Sequence, residues 1–188
     1  MIDLSKLDVL GIHGPLDGGK DTIAHYIIKT HPGFVKYAFA KPLKDAAKVI
    51  FNFTDLQLED RKLKEEVDPY WNVSPRKVCQ LLGSEFGRDM IDKNIWIKRA
   101  QLQIQKNREQ GYKTIITDVR FQNEADWLRT LPNSKLLYLS VPNLNKDEKY
   151  QHQSETGFPI DDSIDQFFLN DKSKGLGWLY SELEKIIV

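Results

Sequence analysis

Cysteine is almost absent from this chain, which has Cys79 and no other among its 188 residues. One cysteine cannot form an intrachain disulfide, and nothing in the sequence suggests an oxidising compartment. Net charge is absent too, because 27 lysine and arginine residues balance 27 aspartate and glutamate residues. Without an overall positive field, the chain has no general attraction for nucleic acid or for an anionic membrane.

Long apolar runs are also missing. The apolar run at residues 9–12 is far too short for the core of a signal peptide. No stretch approaches the length of a membrane span. The composition, 40% hydrophobic and 29% charged, is typical of a globular protein rather than a disordered one. We therefore expect one cytoplasmic domain over residues 1–188.

Short apolar runs alternate along the chain with segments of helical periodicity. Strands are expected at about 7–13, 34–39, 112–117, 135–141 and 164–169. Helices are expected at about 20–29, 41–52, from Ser74-Pro75 onward, 93–109, 125–131 and 176–186. This alternation indicates an α/β protein with a parallel sheet flanked by helices. Such sheets bind ligands at the carboxyl ends of their strands, so the chemistry is expected after His13, Phe39, Asp118 and Val141.

Residues 14–20, GPLDGGK, fit the phosphate-loop pattern G-x-x-x-x-G-K between a strand and a helix. A helix N-terminus offers unpaired N–H groups and a positive dipole end, and Lys20 can reach the β- and γ-phosphates of a nucleotide. The alternative is a glycine turn before an exposed lysine, but spacing and strand context favour phosphate binding. The candidate nucleotide-binding residues are Gly14, Asp17, Gly18, Gly19, Lys20, Asp21 and Thr22.

The residue after the motif lysine is usually a serine or threonine that meets Mg²⁺, whereas here Asp21 stands there and Thr22 follows. Asp21 could hold the metal through water, Thr22 could supply the hydroxyl, or Asp21 could stabilise only its own helix dipole. Asp118 ends an apolar strand where P-loop enzymes place a second acidic group near the metal or the attacking hydroxyl. Arg120 could face the same site. Alone, such an aspartate is usually a turn or cap residue, but beside a phosphate loop a catalytic role is favoured.

The segment between the second strand and Asp118 is far longer than a simple crossover and is mostly helical in pattern. Arginine suits bidentate binding of a phosphate, and aromatic rings could stack on a base. The alternatives are a solvated helix face for the arginines and core packing for Trp71. The candidate substrate-binding residues of this segment are Lys41, Tyr70, Trp71, Arg76, Gln80 and Arg88.

An ordered set of short motifs resembles the phage-type deoxynucleoside monophosphate kinases and, more distantly, the animal type of phosphomevalonate kinase. The set is Gly19-Lys20-Asp21-Thr22, Ala40-Lys41-Pro42-Leu43-Lys44-Asp45, Ser74-Pro75-Arg76, Gln80-Leu81-Leu82-Gly83-Ser84-Glu85, Trp96, Asp118-Val119-Arg120, Asn123-Glu124, His152, Ser154-Glu155-x-Gly157 and Asn170-Asp171. The motifs run in the family's order from about residue 9 onward. None is specific by itself, but the ordered set is.

The resemblance implies a P-loop fold of the nucleoside monophosphate kinase type, with an acceptor-binding helical insert at about 41–110 and a short lid at about 142–153. It implies ATP and Mg²⁺ as cofactors and a deoxynucleoside monophosphate (dNMP) as the small-molecule partner. By match, Lys20 holds ATP phosphates and Asp118 serves the metal or the acceptor. The residues implied for the acceptor phosphate or the transferring group are Arg76, Arg88 and Arg120.

Two departures from the family pattern concern the loop and the lid. Pro15-Leu16 stands where residues are often basic, and Ser140-Val141-Pro142 lacks the arginine that usually precedes this proline. Because the lid has Lys146 and Lys149 as its cations, we expect one of them, preferably Lys149, to reach the ATP phosphates on closure. The open alternatives are a kinase of phosphomevalonate or dephospho-coenzyme A and a nucleotide-binding protein without transfer activity. We expect no nucleic-acid or membrane partner, and a homodimer is left open.

Overall fold

The computed structural model describes residues 1–142 and 158–188. Its strands are β1 (Val9–His13), β2 (Phe34–Tyr37), β3 (Lys113–Val119), β4 (Ser134–Ser140) and β5 (Gln166–Leu169). They form one sheet in the order β2-β3-β1-β4-β5, and every neighbouring pair is parallel. The α/β fold class expected from the sequence is therefore confirmed.

The central position of β1 follows from its composition. All five residues of Val9–His13 are buried, which a strand can tolerate only where both faces of the sheet are covered. β5 lies at an edge of the sheet, and of its four residues only Phe168 is buried. Its start at Gln166 rather than Ile164 shortens the predicted strand, because Ile164 belongs to a turn that closes on the Asp161 carbonyl.

Seven α-helices accompany the strands within the described residues. They are α1 (Lys20–Thr30), α2 (Lys41–Phe51), α3 (Asp55–Glu59), α4 (Pro75–Gln80), α5 (Ile95–Glu109), α6 (Gln122–Thr130) and α7 (Gly175–Glu184). The predicted start of α4 is confirmed, because the Ser74 side chain accepts the Lys77 N–H and Pro75 takes the first turn. A 3-10 helix at Lys172–Lys174 precedes α7.

The chain divides into two compact units, residues 1–38 with 101–188 and residues 39–100. The core of the first unit has β1 at its centre and includes Leu10, Ile12, Ile23, Ile27, Leu137 and Leu183. The smaller core of the second unit consists of Ala47, Phe53, Leu58 and Val78. The second unit overlaps the predicted insert of about 41–110, whose role in binding the acceptor stays a prediction.

A π-helix at Leu81–Ile91 is the main element that the sequence pattern did not predict. Apolar spacing at 78–86 indicated a helix but could not distinguish a π from an α repeat. The π-helix packs against Trp96, whose indole N–H donates to the Gly83 carbonyl at 2.8 Å. Gly87 lies so close to the same indole that an added Cβ would come within 2.6 Å of it.

Two further expectations concern the membrane and the lid. Over residues 1–142 and 158–188, no helix combines the length and the apolar character needed to cross a bilayer. The predicted lid at 142–153, with Lys146 and Lys149, lies outside the described residues from residue 143 onward. The lid and its two lysines therefore stay predictions.

Candidate active site

The phosphate loop occupies residues 14–19, between the end of β1 and the start of α1. Its backbone needs glycine at two places. Gly19 has φ of 100°, in the left-handed region that favours glycine. A Cβ on Gly14 would lie 2.8 Å from the Leu139 Cβ, because the loop leaves β1 directly beside β4. A turn closes the loop where the Gly18 N–H donates to the Pro15 carbonyl at 2.9 Å.

Lys20, the first residue of α1, folds back over this loop. Its ammonium donates to the Gly14 carbonyl at 2.8 Å and to the Pro15 carbonyl at 2.6 Å. The positive charge is thus held at the base of the loop by two carbonyl oxygens. This position suits a lysine that binds phosphate oxygens lying against the loop N–H groups.

Asn170, the residue directly after β5, binds the phosphate loop through a side-chain hydrogen bond. Its side chain, 3% exposed, donates from Nδ2 to the Gly18 carbonyl at 2.8 Å. Its backbone N–H donates to the Ser140 carbonyl at 2.8 Å, which fixes it to the end of β4. The motif Asn170-Asp171 does not by itself indicate this role, but a polar residue directly after a strand at this edge of the sheet is a signal for a functional position.

Asp118 lies next to the start of the phosphate loop because β1 and β3 are neighbours. Gly11 pairs with Ile116 and His13 with Val119, so two residues of β3, Thr117 and Asp118, stand opposite one residue of β1. This shift is a β-bulge, a device that re-aims side chains beside functional sites. The half-buried Asp118 is thus presented at the carboxyl edge of the sheet.

Arg120 follows β3, and its backbone is fixed by the first turn of α6. The carboxylate of Glu124, 1% exposed, accepts the Arg120 N–H at 2.8 Å and the Phe121 N–H at 3.1 Å. A buried carboxylate that accepts two backbone N–H groups at a helix start satisfies both and sets the direction of the chain. The motif Asn123-Glu124 does not by itself indicate this capping role.

The candidate metal ligands fit Mg²⁺ only as a partial set. Asp21 is exposed, and its Oδ1 lies 3.2 Å from the Lys36 ammonium; Thr22 is half-buried in the same helical turn. Within the two described stretches, no three acidic, histidine or cysteine side chains cluster as a complete metal site. Mg²⁺ commonly takes one or two carboxylates and completes its shell with phosphate oxygens and water, which Asp118 with Asp21 or Thr22 could satisfy.

His13 ends β1 immediately before the loop, and its environment favours the neutral imidazole. Burial lowers the pKa of His13, and the nearby charges of Lys20 and Arg120 lower it further. The hydrogen bond to the Val119 carbonyl and the charge of Asp165 act in the opposite direction. In the sequence pattern, His13 marks only the end of the first strand.

The cationic candidates for substrate binding lie in the second unit, and each has an intramolecular partner. Lys41 forms an ion pair with Asp45 at 2.6 Å. Arg76 forms an ion pair with Glu65. Arg88, on the π-helix, donates to the Lys93 carbonyl at 3.2 Å. Gln80 is half-buried at the end of α4. Their roles toward a substrate stay predictions.

The two aromatic candidates of the second unit differ in exposure. Tyr70 is 81% exposed and contacts Trp71 edge-on, with ring centroids 4.9 Å apart. The Trp71 indole donates to the Phe51 carbonyl at 2.8 Å and packs edge-on against the Phe51 ring, yet it remains 40% exposed. Trp71 is therefore partly packed within the protein and partly available to stack on a base. Its stacking on a nucleotide base stays a prediction.

A five-stranded parallel sheet with a phosphate loop after its central strand is the arrangement of the P-loop nucleotide-binding proteins, a class that includes kinases, ATPases and GTPases. The family described as deoxynucleotide monophosphate kinase matches residues 58–182. A protein of Acanthamoeba polyphaga mimivirus, provisionally named deoxynucleotide monophosphate kinase, is 32% identical over 178 residues, covering 88% of this chain and 89% of the relative. The deoxynucleoside-5'-monophosphate kinase of Escherichia phage T5 is 27% identical over 215 aligned positions, covering 80% and 85%.

The chain belongs to the deoxynucleotide monophosphate kinase family. The resemblance drawn from its ordered motifs is confirmed, and so is the classification as a kinase.

Proposed function

We propose that this kinase transfers the γ-phosphate of ATP to the phosphate of a dNMP, forming a deoxynucleoside diphosphate and ADP. The observation that carries the proposal is the phosphate-loop segment Gly14–Lys20, which joins β1 to α1, while β1 pairs with β3, the strand that carries Asp118. The names of the two relatives support a deoxynucleotide acceptor. The transfer needs a binding site for the ATP phosphates, positive charge at the transferring group and a binding site for the acceptor. The chain has candidate residues for each.

The loop N–H groups and Lys20 bind the ATP phosphates. Lys20 then exchanges its bonds to the Gly14 and Pro15 carbonyls for bonds to phosphate oxygens. Charge on the transferring group is stabilised by groups held in place beforehand, which is the main catalytic device for phosphoryl transfer. Asn170 keeps the loop in the binding geometry through Gly18.

Asp118 is the principal carboxylate for Mg²⁺, with Thr22 or Asp21 as the second donor. Asp21 forms an ion pair with Lys36, so metal binding by Asp21 would compete with that pair. When bound, Mg²⁺ neutralises charge on the β- and γ-phosphates. Arg120 supplies positive charge to the transferring group, and the cap from Glu124 fixes its backbone.

The second unit binds the acceptor. Arg76 and Arg88 grip its phosphate, because guanidinium groups match phosphate oxygens in two-point contacts. Arg76 has Glu65 as an alternative partner, so acceptor binding competes with that ion pair. Lys41 adds charge, while Tyr70, Trp71 and Gln80 contact the base or sugar.

The test is an assay of ADP formation by wild type and Lys20→Ala with ATP and Mg²⁺. The acceptors tried in turn are each dNMP, each ribonucleoside monophosphate, phosphomevalonate and dephospho-coenzyme A. Lys29→Ala, at the exposed end of α1, is the matched control. We expect dNMP-dependent turnover that is lost in Lys20→Ala and kept in Lys29→Ala. ATP binding without turnover on any nucleotide would indicate a nucleotide-binding protein. Turnover only with phosphomevalonate or dephospho-coenzyme A would reassign the acceptor.

A further inference from the structure

His13 has an arrangement that the proposed function does not use. It is the last residue of β1, 8% exposed, and lies directly before Gly14. Its Nδ1 lies 2.8 Å from the Val119 carbonyl. A carbonyl can only accept, so Nδ1 carries the hydrogen and donates it. Val119 stands between Asp118 and Arg120, so the imidazole joins the start of the phosphate loop to the strand end that bears both candidate catalytic groups.

The imidazole ring is held in place by aromatic packing. Its centroid lies 4.1 Å from the Phe158 ring and 4.6 Å from the Tyr138 ring. Phe158 is itself fixed, because the Tyr138 hydroxyl donates to its carbonyl at 3.2 Å and the Arg129 guanidinium lies 5.8 Å from its ring centroid. Rotating the imidazole away from Val119 would disturb this packing. The packing therefore holds the ring in the orientation that forms the hydrogen bond to the Val119 carbonyl.

A side-chain bond at this point compensates for the irregular ladder between β1 and β3. The bulge at Thr117 and Asp118 interrupts regular pairing just before Val119. The His13 bond ties β3 to β1 again immediately after the bulge. On the other side of the same peptide unit, Glu124 accepts the Arg120 N–H at 2.8 Å. The peptide unit between Val119 and Arg120, which lies between the two candidate catalytic side chains, is thus fixed on both of its sides by buried side chains.

We propose that His13 is a positioning residue, which holds Asp118 and Arg120 in register with the phosphate loop through the Val119 carbonyl. Placement of reacting groups has large kinetic effects, since a shift of about 1 Å can cost about 100-fold in rate. The proposal rests on the proposed roles of Asp118 and Arg120. It assigns His13 no contact with substrate and no proton transfer.

Two variants separate the hydrogen bond from the packing. His13→Phe keeps a ring between Phe158 and Tyr138 but removes the donor. His13→Asn loses the ring but can place an amide N–H near the Nδ1 position. The matched control is His25→Phe, at an exposed position of α1. We expect kcat to fall at least about tenfold in His13→Phe, with KM for ATP and dNMP changed less than about twofold. His13→Asn should recover a large part of kcat.

Two measurements test the proposal without relying on turnover. In the wild-type protein, nitrogen NMR of the histidine rings should show His13 protonated at Nδ1. In His13→Phe, hydrogen exchange at the Arg120 and Phe121 amides should accelerate, while the amides of β1 before Gly11 should keep their protection. A wild type that forms no diphosphate would refute the proposed function, while these two measurements would still decide whether His13 holds the strand end.

Any of three results would overturn the proposal. The first is protonation of His13 at Nε2 in the wild type. The second is a folded His13→Phe variant with wild-type kcat and unchanged amide exchange. The third is a His13→Asn variant no better than His13→Phe, since recovery by a smaller donor is what distinguishes the hydrogen bond from packing alone.

Discussion

Replacing Asn170 by aspartate should weaken ATP binding, because this change reverses one contact to the phosphate loop. Asn170 Nδ2 donates to the Gly18 carbonyl at 2.8 Å, and the side chain is 3% exposed. Aspartate has nearly the same shape but puts an oxygen where the donor was, so two acceptors would face each other. It also adds a negative charge beside the place where phosphates are proposed to bind.

The magnitude follows from the lost bond and the carbonyl it leaves. A buried acceptor without its partner costs about 1–3 kcal/mol, and charge repulsion adds to this cost. We therefore expect ATP affinity to fall by about 2–3 kcal/mol, which is about 30–150-fold in Kd. The Kd for the dNMP should change much less, since the acceptor is assigned to the second unit.

Calorimetric titration with ATP measures this change, and Asp171→Asn is the matched control. Asp171 is adjacent and accepts the Ser173 N–H, a role that asparagine can also fill. This control replaces a carboxylate by an amide at the next residue, which is the reverse of the change at Asn170. It should bind ATP like the wild type. A folded Asn170→Asp variant with wild-type ATP affinity would refute the assignment of Asn170 as the support of the loop.

Three further predictions concern the loop lysine, the metal and the fold. Lys20→Ala should lower kcat by about 100-fold or more in steady-state assays, as removal of a single charge-stabilising donor does; near-normal kcat in the folded variant would exclude Lys20 from transfer. Asp118→Asn should lower kcat and shift the Mg²⁺ titration to higher concentration, whereas Asp126→Asn, exposed on α6, should do neither; an unchanged titration in Asp118→Asn would indicate a structural cap. Arg129→Met should lower the free energy of unfolding, measured in urea, by about 3–5 kcal/mol, because it leaves Asp165, whose side chain is 0% exposed, without its ion-pair partner. A decrease below about 1 kcal/mol would mean that this ion pair contributes no more than an exposed surface pair does.

Local patterns in the sequence were sufficient for the five strands, their parallel direction and the loop after the first strand, but not for the order of the strands. The apolar run before Gly14, the glycine spacing and Lys20 lie within a few residues of one another, so strand, loop and helix could be predicted together. Asp118 was placed correctly at the carboxyl edge because alternating elements indicate parallel strands. The bulge that presents Asp118 was not predictable, since a shift in register depends on the partner strand.

The supports of the site were missed because they connect residues far apart in the chain. Asn170 and Gly18 are separated by 152 positions, and His13 and Val119 by 106. No periodicity or spacing rule links such pairs. The π-helix was missed for another reason: the local apolar pattern suits an α-helix equally well.

The central claim is transfer of phosphate to a deoxynucleotide, and phosphorus NMR tests it most directly. The chain is mixed with ATP, Mg²⁺ and each dNMP, and the phosphorus spectrum is followed over time. We predict paired growth of ADP and deoxynucleoside diphosphate signals at equal rates, with little inorganic phosphate. Growth of ADP with inorganic phosphate alone, or unchanged ATP with every dNMP, would contradict the account.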